Sequence, residues 1–260
     1  MNSINQSIME KIDQGRLLYG TVLNIGSPVV TELLAQSGFD VLWLDMEHTA
    51  IGVEAVLSNL MAARSGGAPA WVRVPWNDPV LVKPILDMGA DGIIFPFIRS
   101  VEEAKLAAAS CTYPPYGVRG YGPYRAVDYG KITLDEYVGG VARECRRIIQ
   151  IEHIDAVKNL REIAAVEGID GFIVGPCDLS ASIGKLGQIR CEEMMDLYRE
   201  IAQVARESGK LAGIYAGDFN KEYIQQFLDM GFNMIFNSSD YTLLYQGAAN
   251  MIRNFRESFC

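Results

Sequence analysis

The chain has 260 residues, 49% of them apolar and 21% charged, which suits one barrel-sized domain of roughly 250 residues. A formal charge of −9 argues against nucleic acid or an anionic membrane surface as partner, though a local Arg or metal still admits a small anionic substrate. The polar opening MNSINQSIMEKIDQG lacks the apolar core of a secretory signal, and no apolar run approaches the roughly 18 residues of a membrane span. Cys111, Cys145, Cys177, Cys191 and Cys260 are scattered without a CxxC, so a reducing, cytoplasmic compartment is expected, with neither a disulfide framework nor a thiolate zinc site.

In chain order, LLYGTVL (17–23) reads as the first strand, and the turn after it, LNIGSP, carries no GxGxxG fingerprint for a dinucleotide. GFDVLWLD (38–45) follows, then AWVRVP (70–75), GADGIIFP (89–96), RRIIQIE (146–152), GIDGFIVG (168–175), KLAGIYA (210–216) and GFNMIFNS (231–238). Four of these phrases open with a Gly suited to ending a helix in the left-handed conformation, then Asp or Asn, then an apolar run typical of a parallel strand buried on both faces. Helix starts are marked by Ser27-Pro28, Asp78-Pro79, and the capping boxes Ser100–Glu103 and Thr133–Glu136. Asp178 and Asp240 also stand where helices begin. Eight strands alternating with helices predict an α/β fold, a single (β/α)8 TIM-barrel domain over 1–260, with an extra helix before the first strand. An open doubly wound sheet is the alternative. The long segment 113–132, rich in Gly, Pro, Tyr and Arg, is of the kind that covers a site or a neighbouring subunit.

In such a barrel the active site lies at the C-terminal ends of the strands. Strand two ends in Asp45-Met46-Glu47-His48, strand three contains Arg73, strand five ends in Glu152-His153, and strand six runs into Gly175-Pro176-Cys177-Asp178. Both histidines of the chain therefore fall at strand ends. Glu152 and Asp178 end adjacent strands and are placed to converge on one ion. Two carboxylates with water and substrate oxygens suit Mg²⁺ or Mn²⁺. The competing reading pairs Glu152 with an Arg across the barrel and makes Asp178 a helix cap. Arg73 is either a salt-bridge partner in a polar layer or a fork of donors for a substrate carboxylate or enolate oxygen. His48 is either a general base oriented by Asp45 or a solvated loop residue. His153, facing the other way from Glu152, is read as structural, and Cys177 as an inert small residue. No proposed strand carries a Lys in its interior, so a Schiff base is not expected, and a carbanion beside a carbonyl would need a metal as Lewis acid.

The phrases DMEH (45–48), VRVP (72–75), LDMGADGIIFP (86–96), YPPYGVRG (113–120), QIEH (150–153) and GPCDLSASIGKLG (175–187) resemble the HpcH/HpaI aldolase family, in order and spacing from about 17 to 245. The resemblance implies a class II pyruvate aldolase acting on a 4-hydroxy-2-oxo acid, of the 4-hydroxy-2-oxoheptanedioate or 2-dehydro-3-deoxy-glucarate type. It implies that Glu152 and Asp178 ligate a divalent metal (Mg²⁺, Mn²⁺, or another such as Co²⁺) that chelates the carboxylate and 2-oxo oxygens of pyruvate. Arg73 would stabilise the enolate oxygen, and backbone N–H groups around Cys177 and Asp178, after Gly175 and Pro176, would receive the pyruvate carboxylate. His48, supported by Asp45, would move the 4-hydroxyl proton. Asp87 would approach that pair from a neighbouring subunit, and Gln150 would stand behind the ligands. A homo-oligomer is implied, a hexamer or trimer of dimers that exchange the last helix, about 240–256.

This chain departs from the family pattern at Cys177, at Thr49-Ala50-Ile51, at Val22, and at Asn237-Ser238, which stands in place of a Gly-containing turn. These changes surround the aldehyde half and leave the enolate half intact. The competing functions are a related condensing enzyme, of citrate-synthase or acyl-CoA-lyase type, and a non-catalytic barrel that binds a keto acid. CoA use would need a Lys/Arg-lined groove that the sequence does not offer, and the loops AGDFN and NSSDY lack the Gly-rich cradle of a phosphate site.

Overall fold

A computed structural model of the chain describes residues 16–217 and 219–259 together with Ile8, Glu10, Lys11 and Gln14. Eight parallel strands close on themselves in sequence order: β1 (Leu18–Leu23), β2 (Val41–Asp45), β3 (Ala70–Arg73), β4 (Gly92–Phe95), β5 (Arg146–Ile151), β6 (Gly171–Val174), β7 (Leu211–Tyr215) and β8 (Met234–Ser239). The closed barrel settles the choice against an open sheet. Around it run α1 (Pro28–Gln36), α2 (Val53–Gly66), α3 (Pro79–Asp87), α4 (Val101–Ser110), α5 (Leu134–Gly139), α6 (Ile154–Lys158), α7 (Leu160–Ala164), α8 (Pro176–Ser182), α9 (Glu192–Glu207), α10 (Lys221–Met230) and α11 (Asp240–Phe259). The expected helix before β1 falls largely outside the described residues.

The recurring Gly-x-Asp/Asn phrase has a concrete structural use. Gly38, Gly89, Gly168 and Gly231 have φ of 98°, 79°, 89° and 104°, the left-handed turn that a Cβ disfavours. Two residues later the side chain reaches to the preceding strand. Asp40 accepts from the Tyr19 N–H at 2.9 Å, Asp91 from Ala70 at 3.0 Å, Asp170 from Arg147 at 2.8 Å and Asn233 from Ala212 at 2.9 Å. Each clamp joins an odd strand to the next even one at the base of the barrel. Register is thereby fixed where the strands begin.

Two apolar layers flank the strands. One lies between strands and helices. The other fills the barrel with Leu18, Val22, Trp43, Trp71, Ile94, Ile148, Ile173, Met234 and Phe236 among others, and Ile8 joins it. Large side chains face glycines: a Cβ on Gly92 would stand 2.6 Å from Trp71 Cδ1, and one on Gly20 2.5 Å from Phe236 Cε1. The register pairs Trp43 with Trp71 and Asp45 with Arg73, so the same inward parity that builds the apolar floor ends in charged groups at the top.

The capping boxes at Ser100 and Thr133 form, and Asp78 caps α3 through the Val80 N–H, whereas Ser27 makes no side-chain cap. Segment 113–132 does not cover the chain's own mouth. Buried Arg119 bonds Asp87 at the end of α3, and buried Arg125 donates to the carbonyls of Met88 and Leu60, so the segment is pinned near the base. Ser238 adopts a left-handed φ of 59°, a conformation glycine meets without strain.

Replacing Asp91 with Ala leaves the buried Ala70 N–H without its acceptor and is expected to cost about 1–3 kcal/mol in urea unfolding. Asp91→Asn should recover most of that loss, since Asn233 makes the same clamp between β7 and β8. Equal losses in both variants would contradict the role assigned to the clamp.

Candidate active site

The mouth is assembled from strand parity. Asp45, Arg73 and Gln150 point inward from β2, β3 and β5, and Glu152 stands one inward step above Gln150. All four are buried. Arg73 is held in a fork by Asp45, with Nε to Oδ1 at 2.8 Å and Nη2 to Oδ2 at 2.7 Å. Its Nη1 donates to Gln150 Oε1 at 3.3 Å and lies 2.9 Å from Glu47 Oε2. A guanidinium carries five N–H donors, so a further N–H on Nη2 is free for a substrate oxygen.

Glu152 is not the Arg partner that the competing reading required. Its Oε1 accepts the Phe97 N–H at 2.7 Å and its Oε2 accepts Gln150 Nε2 at 2.5 Å. Phe97 makes that contact from a left-handed φ of 53°, which aims its N–H at the carboxylate. Burial pushes the Glu152 carboxyl up to about 7; the Phe97 hydrogen bond and Arg73 oppose the rise, and the charges of Glu47 and Asp178 add to it. Asp178 is half-buried in the first turn of α8, where Gly175, not Asp178, is the N-cap. Gly175 also leaves room for the neighbouring acid: a Cβ there would lie 2.9 Å from Gln150 Nε2 and 3.1 Å from Glu152 Oε2. The first-turn N–H groups of Cys177 and Asp178 have no acceptor within the helix, and Cys177 is exposed.

Among the described residues, no three His, Cys, Asp or Glu side chains form a ready-made metal cluster. The pair Glu152 and Asp178 nevertheless suits a hard cation. Both offer hard oxygen donors, the Asp178 charge opposes ionisation of Glu152, and Arg73 is already committed to Asp45 and Glu47.

The remaining expected residues sit as follows. Asp45 does not touch His48; its oxygens take Arg73 and the Glu47 N–H. The acid beside His48 is Glu47, with Oε2 3.7 Å from Nε2, and the His48 side chain is 62% exposed to solvent. Asp87 lies at the far end of α3 and pairs with Arg119 at 2.9 Å, so one chain does not bring it to the mouth. His153 caps α6 by accepting the Asp155 N–H, the structural use expected of it. Lys185 is turned to Glu193 and Lys210 to the Ile169 carbonyl, which leaves neither at the mouth. Thr49 stitches the β2–α2 loop, donating to the Asp45 carbonyl and accepting from the Ile51 N–H. Sequence reasoning gave no role to Glu47 or Phe97. Glu47 shares the inward parity of Asp45, a usable signal, whereas a left-handed Phe leaves no mark in composition.

The profile of the HpcH/HpaI aldolase/citrate lyase family matches residues 19–246. The chain belongs to that family. It is an enzyme, a carbon–carbon lyase of the aldolase type. A relative from Klebsiella pneumoniae named 4-hydroxy-2-oxo-heptane-1,7-dioate aldolase is 34% identical over 252 residues, 97% of this chain and 94% of the relative. A solved family member from Burkholderia cenocepacia superposes with a TM-score of 0.90 at 32% identity, covering 98% of this chain and all of the other. The citrate synthase SbnG superposes at 0.84 with 27% identity, covering 96% of this chain and 97% of the other. No helix among the described residues is long and apolar enough to cross a membrane.

Asp45→Ala would leave Arg73 buried with its fork partner gone. Breaking such a buried pair costs about 3–5 kcal/mol, and the lower end is expected here because Glu47 still faces the guanidinium. Urea unfolding measures it; a loss below about 1 kcal/mol would show that Asp45 does not hold Arg73 in solution.

Proposed function

We propose that this enzyme reversibly cleaves a 4-hydroxy-2-oxo acid to pyruvate and an aldehyde, with a divalent cation, Mg²⁺ or Mn²⁺, held by Glu152 and Asp178. The observation that carries the reading is the buried Glu152 carboxylate beside Asp178, its ionisation opposed by burial and by neighbouring acids, with Arg73 alongside. When bound, the cation would supply Lewis-acid stabilisation for the 2-oxo oxygen. Arg73, fixed by Asp45, offers its remaining N–H to the same developing oxyanion. The N–H groups of Cys177 and Asp178 face the substrate carboxylate. His48 takes the proton of the C4 hydroxyl as the C3–C4 bond breaks. The bonding pair passes into the enolate of pyruvate, C4 becomes the aldehyde carbonyl, and C3 is then protonated. Mouth lysines are absent among the described residues, which favours this route over a Schiff base.

A second copy of the chain completes this reading. Along α11 only Asp240 is buried, while Leu244, Tyr245, Met251, Ile252, Phe255 and Phe259 are exposed, an apolar face suited to a homo-oligomer. In such an assembly Asp87 would reach a neighbour's mouth. The likeness to a citrate synthase favours a second reading, in which the same enolate chemistry serves a different electrophile.

Exchange of pyruvate methyl protons with deuterium should require Mg²⁺ or Mn²⁺ and stop with EDTA. Glu152→Ala and Asp178→Ala should lose exchange and metal affinity together, and His48→Ala should lower cleavage of 4-hydroxy-2-oxoheptanedioate by about 100-fold or more while slowing exchange far less. Exchange that persists after chelation and is trapped by borohydride would refute the metal route. Metal-dependent exchange without cleavage, but with condensation onto a keto-acid acceptor, would favour the second reading.

A further inference from the structure

The end of β8 carries a side chain that the fold does not use. Gly20 pairs with Phe236 but Val22 pairs with Ser239, so β8 has one residue more than β1 across this step. Such a bulge re-aims a side chain. Asn237 is taken up, accepting from the Tyr19 hydroxyl at 2.9 Å and donating to the Gly217 carbonyl. Ser239 meets the Thr242 hydroxyl at 2.9 Å, and Asp240 accepts the N–H groups of Asn24 and Ile25. Ser238, between them, is different: its Oγ is buried without a partner among the described residues, and its φ of 59° is left-handed. An orphaned hydroxyl and a strained backbone are separate costs, and such costs gather where a ligand binds. A glycine would carry neither. Opposite Val22 on its other side stands Trp43, whose Nε1–H is also buried without an acceptor among the described residues. Arg73 covers the Trp43 ring with Cζ 5.0 Å from its centroid, so this layer lies against the guanidinium of the mouth. Val22 and Ser238 each keep 7% exposure, so the layer opens on the mouth there.

We infer that Ser238, with Trp43, forms a subsite for a hydroxyl group on the aldehyde half of the substrate, which makes Ser238 a specificity-determining residue. This assignment rests on the aldolase reading and narrows the substrate to 2-oxo acids hydroxylated at C5 as well as C4. An indole N–H only donates, whereas a serine hydroxyl donates or accepts, so one substrate hydroxyl satisfies both groups. A second carboxylate suits the niche poorly. Buried Asp45 stands one inward step above Trp43, buried Asp240 lies two residues beyond Ser238, and Arg73 is already bound to Asp45 and Glu47. A site built around a hydroxyl rejects the analogue that lacks it, because its buried polar groups are then left unpaired.

Condensation of pyruvate with glycolaldehyde and with acetaldehyde, in the presence of Mn²⁺, tests this on the intact enzyme. The quantity read is the ratio of kcat/KM for the two aldehydes. Comparing that ratio between variants cancels their different intrinsic reactivity. Ser238→Ala and Ser238→Gly should each lower the ratio about tenfold, nearly all of it through glycolaldehyde. Ser238→Gly is also the folding control, because glycine meets the left-handed φ without strain and its urea midpoint should not fall below that of the wild type. A ratio unchanged in both variants would overturn the proposal, since the niche would then hold only a water. A fall in Ser238→Gly alone would overturn it too, because lost bulk rather than the lost hydroxyl would be the cause. If the wild-type enzyme neither exchanges pyruvate methyl protons nor condenses either aldehyde, the aldolase reading fails and the subsite with it. Exchange and condensation with an unaltered ratio would sink the subsite alone.

Discussion

One guanidinium stands among four carboxylates at the mouth of this barrel, and the arrangement of the site follows from that imbalance. Arg73 compensates Asp45 through a two-point fork and Glu47 through a close ion pair. A single positive charge does not neutralise Glu152 and Asp178 as well. Opposite charges about 4 Å apart in partly screened surroundings attract by about 4 kcal/mol, enough to hold one partner and too little to offset three further acids crowded out of water. Burial above all, with the charges of Glu47 and Asp178 adding to it, pushes the Glu152 carboxyl up to about 7. On the proposed reading, a divalent cation would offset the charge of Glu152 and Asp178 and would supply the electrophile that enolate formation needs.

The fold delivers these groups by parity and register. Side chains alternate along each strand, so a slip of one residue in β5 would turn Gln150 and Glu152 outward and bring isoleucines to the mouth. The four clamps at the base oppose such slips, joining β1 to β2, β3 to β4, β5 to β6 and β7 to β8. Glycines set against Trp71 and Phe236 complete the interior without forcing the strands apart. Residues that never meet a substrate thus determine where the reactive ones stand.

The barrel was legible in the sequence because its signals are local: a left-handed Gly, an acid two residues on, a buried β run, and a capping side chain before a Pro or Glu. Arg73, Glu152 and Asp178 could be singled out for the same reason, since strand ends point at the mouth, whereas Gln150 came only from the family resemblance. The partnering of His48 was not legible. Asp45 and Glu47 share a face and both meet Arg73, and which of them also lies beside His48 depends on the β2–β3 register and on a loop stitched by Thr49, neither of which is a local property. The course of segment 113–132 was equally hidden, because its two buried arginines find their acceptors on α2 and α3 through tertiary packing alone.

The account turns on whether Glu152 and Asp178 share one cation. Crystals grown with Mn²⁺ and pyruvate, measured at a wavelength where manganese scatters anomalously, test it directly. The prediction is a single anomalous peak between the two carboxylates, with pyruvate oxygens completing its shell and Arg73 beside the 2-oxo oxygen. A mouth without that peak, or a manganese bound elsewhere while pyruvate occupies the site, would contradict it.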